Sequence, residues 1–460
     1  MTLPQAPPIF TSETITEKSI SAAYTQFLAR RPRFDALWSY YIGDHPRTNP
    51  DGESFIVANF CKYISRTIKS YMIGNRPAYG YTDGDTYGEE ITGIYRAQNK
   101  WEVDSAIIQD MINFGRGFEL VYRDENGSPK SASVSPRDAF VAYSPGIEHE
   151  SVFGAVRYHR VRDDGSHYTD LVIYTADSVQ TWRSEDNGGF ELAEGAQPHG
   201  FGRVPLIEYA NNREFMSDYE DILSLQNAYN ALLSDRQDDK DAFASAILWI
   251  KGAIMGNTEE AIKEKTDVLN RLRVLHLGED ADAGFLTHTL DESGVSILQE
   301  AYAKSIHKIA MVPDLSDEAF AGNASGVAMA YKLYGTDQVA SEKASQFQKG
   351  YTRRCKLYDA ALHNPSNSMT YTPLADIEGM TVQFRFNLVQ DLGYTATALT
   401  TLKSAGLIST QTAMENISII PDAKEELVRV EGDTEASIRN DQRRFEDYPS
   451  QFGPEDGDGE

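Results

Sequence analysis

The stretch Ile309-Ala310-Met311-Val312-Pro313-Asp314-Leu315-Ser316-Asp317-Glu318-Ala319-Phe320-Ala321-Gly322-Asn323-Ala324-Ser325-Gly326-Val327-Ala328 decides how the chain is read. A helix enters it from upstream. Val295, Leu298, Tyr302, Ile306 and Ile309 recur at helical spacing, which predicts an inward apolar stripe over about 293–310. Pro313 has no amide proton to continue the ladder, so it ends the helix. A polar, glycine-containing loop from Asp314 to Asn323 follows, and a further helix is predicted from about 325 to at least 346. The loop carries Asp314, Asp317 and Glu318 and no Lys or Arg. Carboxylates and phosphates repel, so such a loop would not adhere to a nucleic acid.

Upstream lies a second long amphipathic helix, over about 218–243. Tyr219, Ile222, Leu225, Tyr229, Leu232 and Arg236 line one face, and Asp221, Ser224, Asn227, Ser234 and Asp238 the other. Ser217 stands where an N-cap would. Between the two helices, residues 244–290 read as a small mixed module: a strand over 246–250, a helix over about 258–270, a strand over 273–277 and an acidic turn over 278–282. A helix, a module and a returning helix suit an element that leads away from a body and comes back. The polar faces of the two helices carry few large apolar residues.

Further out, Phe27, Leu28, Phe34, Leu37 and Tyr41 predict a helix over about 21–41, after a Pro/Thr/Ser-rich segment 1–20 expected to be ordered only by a partner. Phe60, Ile64, Ile68 and Tyr71 predict a second helix over about 59–73, closed by Gly74 as a C-cap. Val103, Ile107 and Met111 predict a third over about 101–114. From Phe118 to Tyr209 the period falls to two. Turns at Asn126-Gly127, Asp164-Gly165 and Asn187-Gly188-Gly189 divide this region into antiparallel hairpins. The segment 380–386 alternates like a half-buried strand, residues 394–430 read as short helices, and the acidic end of the chain, 446–460, reads as a disordered tail. The fold class is α+β.

The 460 residues are 41% hydrophobic, enough for a substantial core. No apolar run reaches the roughly 18 residues of a membrane span, and the first residues lack the pattern of a signal peptide. A net charge of -26, from 69 acidic and 43 basic residues, argues against ordinary duplex binding. Cys61 and Cys355 have no ligand-spaced neighbour, so they read as plain thiols. No phosphate loop, nucleophile elbow or zinc-protease motif occurs. Gly115-Arg116-Gly117 and Gly200-Phe201-Gly202 read as loop geometry. Asp83-Gly84-Asp85 starts like a calcium loop but fails where Tyr87 and Ile94 replace ligands. His307 reads as a helix-surface histidine without a partner.

The central string, with Asn59-Phe60, Lys62-Tyr63, Tyr71 through Gly74-Asn75-Arg76-Pro77, Ala231-Leu232-Leu233-Ser234-Asp235 and Gly406-Leu407-Ile408-Ser409, resembles the portal (head-tail connector) proteins of tailed double-stranded-DNA bacteriophages, siphophage type. Arg66-Thr67 departs from the acidic residue common there. The resemblance implies a non-enzymatic ring subunit, usually one of twelve in the virion, with no cofactor and no metal. It assigns 1–210 and part of 324–393 to a wing, 211–243 and 291–312 to stem helices, 244–290 to a clip, 394–445 to a crown and 446–460 to the tail. Pro313, Asp314, Leu315, Ser316, Asp317, Glu318, Ala319, Phe320, Ala321, Gly322 and Asn323 become a tunnel loop, and 324 onward a channel helix. Lys304, Lys308 and Lys332 flank that loop and are expected to meet DNA phosphates. Implied partners are double-stranded DNA in the channel, the terminase large subunit at the clip, major capsid and scaffolding proteins, and a head-completion protein, with no membrane. The site would be the capsid portal vertex, after assembly in the host cytoplasm. Two alternatives stand beside this reading: a metal-dependent nuclease on the Asp235/Asp239 face, and a non-viral scaffold that closes no ring.

Overall fold

The computed structural model describes residues 15–47, 52–81, 86–185, 188–244, 247–251, 259, 263, 267, 282–286, 292–315, 326–364, 377, 379–387, 392–417, 420 and 423–446. Two compact units divide the chain, residues 1–320 with 332–387 and residues 321–331 with 388–460.

In the larger unit α1 (Glu17–Ile42) is capped by Thr16, whose hydroxyl accepts from the Ser19 amide, and it ends at Gly43 in the left-handed region, φ 96°. It starts at Glu17, so the last four residues of the segment 1–20 expected to be ordered only by a partner are helical here; residues 1–14 lie outside the described residues. The helix serves two cores. Ile20, Ala23 and Phe27 pack with Phe140, Phe153, Leu171 and Ile173 of a sheet. Phe34, Leu37 and Tyr40 join a helical core with Ile64, Ile68, Ile108, Met111, Tyr219, Ile306, Phe347 and Tyr351. Leu28, expected inward, is exposed. α2 (Phe60–Ile73) begins at Asn59, whose side chain accepts from the Lys62 amide. Gly74 is the C-cap expected there, its amide donating to the Ser70 carbonyl, with φ -62°.

α3 (Thr86–Ala97) was not legible in the sequence, where Asp83-Gly84-Asp85 drew attention to a loop; residues 82–85 lie outside the described residues. α4 (Lys100–Phe114) ends at Gly115, φ 81°, where a Cβ would stand 2.0 Å from the Phe215 carbonyl oxygen. That close approach lets the chain turn directly into β2 (Arg116–Arg123). β3 (Pro129–Val134), β2 and β9 (Leu206–Ala210) form a three-stranded antiparallel sheet. β4 (Ala139–Tyr143), β5 (Ser151–Val161), β6 (His167–Tyr174), β7 (Ser178–Glu185) and β8 (Glu191–Pro198) form a five-strand meander in chain order. Phe118, Val141, Val156 and Leu206 pack between the two sheets.

A 3-10 turn over Glu220–Ile222 opens α5 (Leu223–Ala244). Ser217 therefore caps a turn, not the α-helix itself: its hydroxyl accepts from the Tyr219 amide at 3.4 Å and donates to the Ile112 carbonyl at 2.9 Å. β10 (Ile247–Lys251) pairs antiparallel with β11 (Asp282–Leu286). The helix expected over 258–270 is described only at 259, 263 and 267, and the strand over 273–277 lies outside the described residues. α6 (Glu292–Ile309) and α7 (Gly326–His363) follow. β12 (Thr381–Gln383) is the short remnant of the strand expected over 380–386 and pairs with β1 (Ala78–Gly80). In the smaller unit, α8 (Leu392–Ser404), α9 (Thr410–Glu415) and α10 (Ala423–Glu446) follow one another. The tail beyond Glu446 lies outside the described residues.

Candidate functional site

α5 and α6 are built from different kinds of contact. α5 turns Gln226, Asn230, Ser234 and Asp238 towards the extended segment 53–60. Phe60 N–H donates to Gln226 Oε1 at 2.9 Å and Ala58 N–H to Asn230 Oδ1 at 3.1 Å. Ile56 N–H donates to Ser234 Oγ at 3.0 Å and Ser54 N–H to Asp238 Oδ1 at 2.8 Å. The match is geometric. Every fourth helical residue advances about 6 Å, and every second residue of an extended chain advances about 6.6 Å. Side chains and amides therefore stay in step over four partners, and alternate donors of a segment outside any sheet are satisfied. Hydrogen bonds from Ser54, and from the Glu53 amide, hold the Asp238 carboxyl below the usual carboxylate range.

This corrects the expected wet face. Ser234 is buried, Asp238 is engaged, and Asn227 exchanges hydrogen bonds with the Tyr40 hydroxyl. Asp221 and Ser224 remain exposed.

α6 packs on α5 through Gln299, which accepts from Arg236 Nη1 at 3.0 Å and donates to the Tyr229 hydroxyl at 3.1 Å. Of its expected inward stripe, Ile306 is fully buried and Val295 and Tyr302 are half-buried. Leu298 and Ile309, however, are 42% and 48% exposed, and Ile297 beside them is 68% exposed. One neighbouring helix covers a narrower arc than the apolar residues occupy.

After α6 the backbone is held by side chains from three helices. Met311 is left-handed, φ 54°, and its carbonyl accepts from Thr336 Oγ1 of α7 at 2.9 Å. The Val312 carbonyl accepts from His307 Nδ1 of α6 at 3.1 Å. The Pro313 carbonyl accepts from the Tyr63 hydroxyl of α2 at 2.8 Å, and that hydroxyl's oxygen in turn accepts from the Leu315 N–H at 3.3 Å. His307 is therefore not a lone surface histidine. Its ring sits edge-on to Phe60 and Tyr63, and Nε2 lies 3.9 Å from Asp314. A cavity of about 260 Å³ opens here between Ala58, Asn59, Phe60, Tyr63, His307 and Asp314.

Of the residues expected in the loop, Pro313, Asp314 and Leu315 have described positions, and Ser316 to Asn323 lie outside the described residues. Lys304 is exposed and pairs with Glu300 at 2.6 Å. Lys308, one turn on, is exposed, and Lys332 is half-exposed on α7. Asp235 and Asp239 are exposed on α5, and among the described residues no group of three His, Cys, Asp or Glu gathers to hold a metal. Among those residues too, no helix is long and apolar enough to cross a membrane.

Sequence reasoning missed the buried charge cluster that roots α7. Arg354 donates to Asp104 at 2.5 Å and to Glu119 at 2.8 Å, and Lys100 reaches Glu119 at 2.7 Å. The hydroxyls of Tyr79 and Tyr209 close on Asp104 and Glu119, both at 2.6 Å. Burial pushes the Glu119 carboxyl up, but Arg354 and Lys100 outweigh it and hold it down at about 2. Arg354, Asp104 and Glu119 are fully buried, so no substrate reaches them. Partners 250 and 235 residues apart leave no local signal.

Taken together, an α+β body and a returning pair of long helices with an uncovered apolar edge define an assembly subunit. The sequence pattern of the family described as "Phage portal protein, SPP1 Gp6-like" matches residues 22–439. The portal protein of Bacillus phage SPP1 is 22% identical over 416 residues, which cover 87% of this chain and 79% of that relative. The chain belongs to the phage portal protein family. As such it is a structural subunit of an oligomeric ring at a viral capsid vertex, whose channel serves DNA packaging and ejection.

Proposed function

We propose that the chain divides its work along the boundaries expected from sequence. Residues 1–210, with the second part of 324–393, act as the wing; α5 and α6 within 211–243 and 291–312 as the stem; 244–290 as the clip; and 394–445 as the crown. Residues 313–323 act as a tunnel loop at the channel. The terminase large subunit docks on the clip during packaging, and a head-completion protein takes its place afterwards. Major capsid and scaffolding proteins are further partners, and assembly takes place in the host cytoplasm.

One observation carries this reading. α6 spends one side on α5 and leaves Ile297, Leu298 and Ile309 uncovered. Ring closure needs a head-to-tail interface, and an apolar edge on a long helix supplies one. Lys304 and Lys308, exposed on the same helix, and Lys332 beyond the loop are the phosphate contacts in this reading. Acidic loop residues keep DNA sliding, and the lysines touch it in passing. Replacing all three lysines by Ala should lower packaging in a defined assay while negative-stain microscopy still shows rings. Unchanged packaging would remove the lysine contacts. Absence of rings from the unsubstituted protein would remove the architecture.

A further inference from the structure

We propose that Tyr63 and His307 are positioning residues that fix the backbone at the root of the tunnel loop. The inference rests on the reading of residues 313–323 as that loop. Between α6 and Leu315 the chain belongs to no helix or strand, so each peptide group needs a partner from elsewhere. Pro313 forbids a continued helical ladder, and Met311 turns the chain through a left-handed residue. The carbonyls of Met311, Val312 and Pro313 are then taken in sequence by Thr336, His307 and Tyr63.

Tyr63 does more than the other two. Its single hydroxyl donates to the Pro313 carbonyl and accepts from the Leu315 amide, spanning Asp314. A phenol in that place clasps the chain on both sides of the first acidic residue of the loop. Bonding to a carbonyl requires the proton of His307 on Nδ1, and packing against Phe60 and Tyr63 fixes the ring. The two clasps also support each other, because the Tyr63 and His307 rings are in edge contact, 5.5 Å between centroids.

A nitroxide at position 316, introduced through Ser316→Cys, reports on this root one residue beyond the clasp. Both native thiols, Cys61 and Cys355, are fully buried, so the label is confined to the new one. In assembled rings, Tyr63→Phe and His307→Leu should each raise label mobility, with about a tenfold gain in the released population for the two bonds that Tyr63 makes. Packaging should fall in parallel, with ring formation retained. His307→Asn keeps a donor for the Val312 carbonyl and should restore the wild-type spectrum. A spectrum unchanged by both Tyr63→Phe and His307→Leu overturns the proposal. The loop reading is tested separately in rings that carry only the label, with DNA arrested in the channel. A label indifferent to DNA there would sink the tunnel-loop assignment and leave the clasp standing.

Discussion

α5 and α6 look alike in sequence, and the structure uses them in opposite ways. Each has an apolar stripe and a polar face. On α5 the polar face is the committed one: Gln226, Asn230, Ser234 and Asp238 bind the amides of segment 53–60 within the same chain. On α6 it is part of the apolar face that is uncommitted: Ile306 is buried, while Ile297, Leu298 and Ile309 are open. Amphipathicity says which residues share a face. It does not say what will cover that face, because a polar stripe can match an extended backbone as well as it can match water.

Several substitutions would break or sharpen this contrast. The largest effect should come from the root that the helices' body shares. Glu119→Gln leaves Lys100 buried without its carboxylate and Arg354 with Asp104 alone, and should cost about 3–5 kcal/mol in chemical denaturation. The folded pKa of Glu119 is depressed, so its contribution is complete above the unfolded value, roughly 4.3. It is lost as pH falls through about 2. The variant's stability should accordingly vary less with pH across that window, and an equal slope would contradict the assignment.

Next comes the open face. Ile297→Asp with Leu298→Asp should reduce the ring fraction at least about tenfold by size-exclusion chromatography, a penalty of roughly 1.4 kcal/mol or more per interface. The isolated chain should keep its stability within about 0.5 kcal/mol, as exposed positions do. On the committed face the order reverses. Asn230→Ala strands the Ala58 amide and should cost about 1–3 kcal/mol of chain stability, with rings still forming. Asp238→Asn should give the smallest change, since an amide oxygen can still accept from Ser54. Its folded pKa is depressed too, so what the charge contributes is present at neutral pH and lost as pH falls through the folded value. A melting curve of Asp238→Asn that still weakens on acidification as the parent does would remove that role.

Much of the fold was legible because it is local. Helical periodicity placed α1, α2, α4, α5 and α6 to within a few residues, and Asn126-Gly127 and Asp164-Gly165 marked true hairpins. α3 escaped although Tyr87, Ile91, Ile94 and Tyr95 recur at helical spacing, because the acidic, glycine-containing run Asp83-Gly84-Asp85 before it reads as a loop. Gly74 closes α2 as expected, with φ -62°, since a glycine at a helix end need not be left-handed. The clasp at Tyr63 joins residues 250 and 252 apart, and its oxygen, like the His307 ring nitrogen, meets backbone groups, for which sequence carries no letter. Leu298 and Ile309 were expected inward because a stripe looks the same whether its cover is in the same chain or in a neighbouring one.

A cryo-electron microscopy map of the assembled ring tests the central contrast most directly. The account predicts Ile297 and Leu298 buried against the adjacent subunit while residues 53–60 stay bonded along α5. Ile297 and Leu298 in open solvent, with the Gln226–Asp238 stripe stripped of segment 53–60 and facing the channel, would contradict it.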